Sequence, residues 1–188
     1  MWHEIETGKI IREGSSWKDA NGITHPRNWH IWSEDEKKAM GLVELIPDPI
    51  PNSLTWSFTQ EANGKVAKTA KKLDDENVKD QDGNLLKDEK GNQRVTLGVK
   101  SVLIDQVKHQ QGSRLAQTDW AIIRKADKGT AIPSNIQTWR DAIRTKATAM
   151  EDAINNVADT EAVEALLLTW DKDGNKSGIL YDWPELVE

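Results

Sequence analysis

The longest apolar pattern in the chain lies in its carboxy-terminal half, where Ile136, Trp139, Ile143, Ala147, Met150, Ile154 and Val157 follow one another at intervals of three or four residues. This spacing predicts a helix of roughly six turns with a single apolar stripe, opening after Pro133-Ser134. The stripe packs against the chain's own core or, because its spacing is nearly heptad, zips to a second subunit. Upstream, Val99, Val102, Leu103, Gln106, Val107 and Gln110 also recur at helical spacing, with Gly112 as a weak point. Downstream, the pattern predicts a short helix from Thr160 to Leu168, a turn at Asp171-Lys172-Asp173-Gly174-Asn175, and a final strand at Ile179-Leu180-Tyr181 before Trp183-Pro184.

The first 55 residues alternate short extended stretches with turn chemistry: Glu4-Ile5-Glu6 before Thr7-Gly8, Ile10-Ile11 before Glu13-Gly14, and Trp17 before Asp19-Ala20-Asn21-Gly22. Ser33 to Gly41 predicts one short helix, with a Ser cap, acidic residues in its first turn, basic residues later and Gly past its end. Pro47, Pro49 and Pro51 then favour an extended connector and a module boundary near Asn52. In the middle segment, Lys79-Asp80-Gln81-Asp82-Gly83-Asn84 is followed by Lys87-Asp88-Glu89-Lys90-Gly91-Asn92. These are two tight reversals one short strand apart, in which Gly tolerates positive φ and Asp or Asn side chains bond the turn backbone. The expected fold is α+β, with a small β-rich module over residues 1–55, a hairpin-bearing connector over 56–98, and a helical module with terminal strands over 99–188.

A chain of 188 residues accommodates one ordinary domain or two small ones. Only 37% of residues are hydrophobic, so the nine Trp supply a large part of the apolar surface for any core. The absence of Cys removes disulfides, thiolate metal sites and cysteine nucleophiles, and suits a reducing cytoplasm. A formal charge of −6 repels phosphate backbones, which argues against a nucleic-acid partner. The local cluster Lys65, Lys68, Lys71 and Lys72 is followed by Asp74, Asp75 and Glu76 and reads as a solvated charged face. Neither a signal peptide nor a membrane span is expected, because Met1 to Glu6 lacks a basic and then an apolar region, and the richest apolar run, Val163 to Trp170, contains Glu164.

Asp171, Asp173 and Asn175 match the first, third and fifth places of a calcium-binding loop. Lys176 then stands where Gly is needed for the sharp turn, and Asp182 where the longer Glu must reach, so a plain hairpin turn is the expectation. His3, His25 and His30 have no spacing that fixes a zinc site. No phosphate loop, nucleophile elbow or dinucleotide fingerprint occurs, and the reading is a non-enzymatic protein without metal or cofactor. Trp17, Trp29, Trp32 and Trp56 crowd the amino-terminal third, where they serve a small core, an interface or a sugar-stacking platform.

Leu115-Ala116-Gln117-Thr118-Asp119-Trp120, Ala121 to Ala126, Ala131-Ile132-Pro133 and Trp139-Arg140-Asp141-Ala142-Ile143-Arg144 together resemble the carboxy-terminal domain of phage tail proteins grouped as tail-assembly-chaperone-like. Members show a helix ending in Leu-x-x-x-Asp-Trp, a short link with a Pro, and a helix carrying an aromatic, an Arg and then Leu- or Ile-Arg. The stretch Gly22 to Trp29, with Ser33 to Lys37 and Gly41-Leu42, resembles a module at the head of such proteins in marine phages. The two matches cover about half the chain. The resemblance implies a structural subunit of a phage tail or tail fibre, made in the bacterial host cytoplasm and retained in the virion, whose partners are other tail or virion proteins or further copies of itself. It also admits a transient assembly chaperone that leaves before maturation. A receptor-binding or carbohydrate module rests on the Trp count alone.

The same residues have a direct physical reading. Asp119 caps or pairs where the first helix gives way to the link, Trp120 offers a large buried anchor, and Pro133 with Ser134 or Asn135 starts the next helix through preset φ and side-chain capping. Arg140 and Arg144 lie one turn apart and reach toward Asp119 or a neighbouring subunit; exposed pairs of this kind contribute under about 1 kcal/mol. The arm around Gly83 and Gly91 has short strands whose open edges suit extension of a neighbouring sheet.

Overall fold

A computed structural model describes residues 1–61, 63–170 and 172–186. The chain is α+β, and its described residues form short strands in five small sheets and five α-helices. It divides into two compact units, Met1–Thr69 and Ala70–Glu188, so the stretch 56–98 is shared between them.

The amino-terminal unit begins with β1 (Trp2–Glu4), β2 (Ile10–Ile11), β3 (Trp17–Lys18) and β4 (Thr24–His25). A 3-10 turn (Arg27–Ile31), α1 (Glu34–Ala39), β5 (Leu42–Glu44), β6 (Trp56–Gln60) and β7 (Val66–Ala70) follow. β1 lies between β2 and β5, antiparallel to both, while β3 pairs with β4 and β6 with β7. Strands this short bury few side chains, and the core is built mostly of indoles: Trp2, Trp17 and Trp29 with Ile11 and Leu42, and Trp32 packed against them. Trp2 meets Trp29 edge-on with ring centroids 6.1 Å apart. The fully buried Trp29 donates its Nε1–H to the Ser15 carbonyl at 2.7 Å, which satisfies the one polar atom it takes inside.

α1 starts on a reciprocal cap in which Ser33 Oγ accepts the Glu36 amide and the Glu36 carboxylate accepts the Ser33 amide. Its Lys37 lays its stem inward and its ammonium 4.6 Å from the centre of the Trp2 ring. The Pro-rich stretch after β5 is pinned rather than free, because Asp48 bonds the Gly64 carbonyl through its amide and takes the Val66 amide and the Lys65 ammonium on its carboxylate. That attachment places β6 and β7 with the amino-terminal unit.

The second unit opens with β8 (Glu76–Asn77), which pairs antiparallel with β9 (Val95–Thr96). Between them the two Asp-x-x-Gly-Asn turns have matching bonding. Oδ1 of Asp80 accepts the amides of Asp82 and Asn84, and Oδ1 of Asp88 accepts those of Lys90 and Asn92. Gly83 and Gly91 take φ of +86° and +84°. The eight-residue repeat closes on itself: Val78 N–H donates to Arg94 O, Arg94 N–H to Leu86 O, and Leu86 N–H to Val78 O, each at 2.9 Å. The arm is therefore a three-cornered backbone ring with its central amides and carbonyls already paired.

Four helices follow: α2 (Val99–Ala116), α3 (Asp119–Lys128), α4 (Ser134–Asn155) and α5 (Thr160–Leu166). The hairpin β10 (Thr169–Trp170) and β11 (Lys176–Ser177) comes next. A 3-10 turn at Ile179–Tyr181 stands where the sequence predicts a final strand. Gly178, at φ +103° and so close to Leu167 that a Cβ would lie 2.0 Å from its carbonyl oxygen, bends the chain there. The stripe on α4 is buried along its whole length, with Ile143, Met150 and Ile154 fully enclosed by the chain's own core rather than left for a second subunit. α2 contributes a narrower row than expected, Val99, Leu103 and Val107, because Val102 and Gln106 face outward. The helix runs through Gly112 without a break.

The start of α2 is held by the turn before β8. Gly98 N–H bonds the Asp75 carboxylate at 2.7 Å, Val99 N–H the Lys72 carbonyl and Lys100 N–H the Leu73 carbonyl, so amides with no partner inside the helix are satisfied. α4 starts without a side-chain cap; Pro133 occupies the cap position itself.

Candidate functional site

The residues of the Asp-Trp and Trp-Arg motifs meet at the junction of α2, α3 and α4. α2 stops at Ala116, and Asp119-Trp120 opens α3 instead of ending the preceding helix. Arg140, buried on the inward face of α4, directs Nη1 at three acceptors: Leu115 O at 2.8 Å, Thr118 Oγ1 at 2.8 Å and Asp119 Oδ1 at 2.9 Å. One cation thus holds the end of α2, the corner residue and the start of α3. Asp119 also places a carboxylate in the first turn of α3, where the helix dipole favours it. The two N–H groups of Nη1 are shared among these three acceptors, while the buried Nε has no partner among the described residues, a cost that these bonds offset.

Arg144 does not join this cluster; it pairs with Asp141 on its own helix at 2.9 Å. Trp139, one residue before Arg140, is buried and donates its Nε1–H to the Pro184 carbonyl at 3.1 Å, tying the carboxy-terminal segment to α4. Trp183 is held similarly, by Gln110 at 2.7 Å and by the Arg114 guanidinium 5.1 Å from its ring centre.

Trp120 is the clearest departure from expectation: it is 50% exposed, not a buried anchor. The reason is rotational. Thr118 and Ala121 take the inward positions at the corner, which turns Trp120 outward with Ile123, itself 66% exposed. Trp120 and Ile123 thus share the outward side of α3 with the exposed Arg124 and Asp127.

In the amino-terminal unit Trp17 and Trp29 are core residues and offer no ring face to a sugar. Trp17 stacks on His25 at 4.3 Å, and Trp32, half-buried, meets the same imidazole edge-on at 5.8 Å. His25 Nε2 lies 3.1 Å from the Asp19 carboxylate. Burial raises the Asp19 pKa, but hydrogen bonds from His25 and from the amides of Ile23 and Asn21 outweigh it and hold the carboxyl below its usual range. His30 instead approaches the Arg27 carbonyl.

Among the described residues, no three His, Asp or Glu gather as metal ligands, and no helix is long and apolar enough to cross a membrane. Asp171, the first position of the calcium-like loop, lies outside the described residues. Lys65 pairs with Asp48, Lys72 with Glu76, and Lys68 sits over the Trp56 ring at 4.0 Å, an arrangement of solvated and stacked cations rather than a phosphate cradle. No family model, no curated protein and no solved structure matches this chain.

Sequence reasoning missed the part of Thr118, whose hydroxyl both donates to Leu115 O and accepts from Arg140. A Thr directly before a helix-opening Asp is the signal that would have found it. It also missed an open groove of about 710 Å³ lined by Leu168, Ile179, Tyr181, Asp182, Trp183 and Glu185, which needs the turn at Gly178 to exist.

Proposed function

We propose that this protein is a non-enzymatic structural subunit that acts through contacts with other proteins, and that its setting is a phage tail or tail fibre. The observation that favours a contact function is on α3, where Trp120 and Ile123 stand exposed three residues apart on a helix whose start is fixed by a buried arginine. Large apolar side chains presented together on a rigid element mark interaction surfaces, and aromatic residues are enriched at their centres. The phage setting is supported by the sequence resemblance of residues 115–144.

The test is mass spectrometry of purified particles, together with capture of tail proteins by the tagged full chain, wild type and Trp120→Ser. Retention in particles with Trp120-dependent capture supports a virion subunit. Capture without retention supports the assembly-chaperone reading, and absence of both removes the proposal.

A further inference from the structure

The arm at Gly83 and Gly91 has its central amides paired, but two strands of the amino-terminal unit keep an open edge. β2 is an outer strand of the β2-β1-β5 sheet, and β3 pairs on one side only, with β4. In the β1–β2 ladder the Glu4 N–H bonds the Lys9 carbonyl at 2.9 Å, which makes His3 and Ile10 a pair without mutual hydrogen bonds. Ile10 therefore turns its N–H and C=O away from β1. In the β3–β4 ladder the Asp19 N–H bonds the Ile23 carbonyl at 3.1 Å, so Lys18 likewise turns its N–H and C=O away from β4. These outward backbone groups have no partner among the described residues.

Ile10 and Lys18 line one open groove of about 600 Å³, formed by the consecutive segments 9–12 and 15–18 together with Thr24. Its charged lining residues are Lys9, Arg12 and Lys18, all exposed and without an ion-pair partner among the described residues, and no described Asp or Glu lines it. The acids next to them in sequence are engaged elsewhere: Glu13 accepts the Trp2 indole N–H, and Asp19 holds His25. The groove thus combines unpaired strand edges with charge of a single sign.

We infer that this groove binds an extended acidic segment of a partner protein by strand addition. The open edges offer main-chain donors and acceptors that an extended chain satisfies, while its carboxylates meet the three cations. Four residues of strand span about 13 Å at about 3.3 Å each, so the lining segments fit an incoming stretch of about four residues. Edge-to-edge pairing with a second copy is disfavoured, because its own β2 and β3 edges carry the same positive charge and like charges set opposite one another destabilise strand pairing. The site lies in the other compact unit from Trp120 and does not depend on the α3 surface.

The test is nuclear magnetic resonance of the isotope-labelled full chain, titrated with acetyl-Val-Glu-Val-Glu-Val-Glu-amide. Its counterpart with Lys for Glu, the acidic peptide with alternate backbone amides N-methylated, and inorganic phosphate are titrated in parallel. An alternating peptide of this kind suffices, because main-chain bonds and charge carry the contact rather than particular side chains. The acidic peptide is expected to shift the amides of Ile10 and Lys18 and protect them from hydrogen exchange, with a dissociation constant about tenfold or more below those of the Lys and N-methylated peptides. Arg12→Glu/Lys18→Glu, which replaces exposed side chains, is expected to keep native circular dichroism and lose about tenfold or more in affinity, while Arg12→Lys/Lys18→Arg retains it.

No binding of the acidic peptide, equal binding of its N-methylated form, or an affinity unchanged by charge reversal overturns the inference. So does phosphate that reproduces the peptide's shifts at Ile10 and Lys18, which makes the groove a small-anion site. Concentration-dependent protection of those amides without peptide also overturns it, by placing a second copy there. Trp120→Ser is expected to leave peptide binding unchanged, so failure here leaves the α3 reading standing, and loss of tail-protein capture leaves this one.

Discussion

Replacing Arg140 with Ala probes the junction that organises the helical unit, and the structure fixes which part of the cost dominates. The guanidinium gives up the bonds of Nη1, whose two N–H groups are shared among three acceptors, but those acceptors are not equally harmed. Leu115 O keeps the Thr118 amide at 3.1 Å and the Thr118 hydroxyl at 3.2 Å, and Asp119, whose side chain is 52% exposed, regains water. No buried charge is stranded, so the loss stays below the 3–5 kcal/mol typical of a broken buried pair. Charge-assisted bonds and the packing of the Arg stem are lost, while the desolvation of the cation and its unpaired Nε are recovered. The balance is a destabilisation of about 2–3 kcal/mol.

Removing Asp119 leaves Arg140 with two acceptors and costs about 1–2 kcal/mol, and a half-solvated pair implies an Arg140–Asp119 coupling of about 1 kcal/mol or less. Urea unfolding of both single variants and the double variant, followed by the helical circular dichroism signal, measures all three. Hydrogen exchange should show the loss at amides of the α2 end and α3 first. A change for Arg140→Ala under about 0.5 kcal/mol, or a coupling above about 2 kcal/mol, would refute this account of the junction.

Ile143 is fully enclosed, so Ile143→Asp should cost about 4 kcal/mol or more through an unpaired buried charge, against about 1 kcal/mol for Ile143→Val in the same thermal melts. Gly98→Ala should cost about 2–4 kcal/mol and speed exchange at Val99 and Lys100, because its Cβ would lie 2.4 Å from both Leu73 O and Asp74 C. Gly112→Ala, with nothing within 4 Å, should instead stabilise by about 0.5–1 kcal/mol. The Glu4 carboxyl is held below its usual range, chiefly by the Thr7 hydroxyl and then, against the opposing effect of burial, by the amides of Thr7 and Glu6. A depressed folded-state pKa means stability that is present above the unfolded value, near 4.5, and lost as pH falls through the folded one. Acid titration should therefore lower the stability of the amino-terminal unit, and Glu4→Gln should flatten that pH dependence.

The helical period from Ile136 to Val157 was enough to define α4 and its buried face, since a stripe of large apolar residues has one way to leave water. The Ser33 cap and the paired Asp-x-x-Gly-Asn reversals were equally local properties, set by backbone chemistry within a few residues. The pairing of Arg140 with Asp119 was within reach for the same reason, as two charges in a recognisable motif. Rotation about a helix axis was not. Whether Trp120 faced the core depended on which residues of the α2–α3 corner packed against α4, and Thr118 and Ala121 took those places. The final 3-10 turn was likewise decided by the close approach of Gly178 to Leu167, eleven residues earlier in the chain. The pinning of α2 by Asp75 and the groove beside Tyr181 both require segments distant in sequence to meet. Local periodicity specifies which side chains seek burial, but only the packed chain decides which of them find room and which are left at the surface.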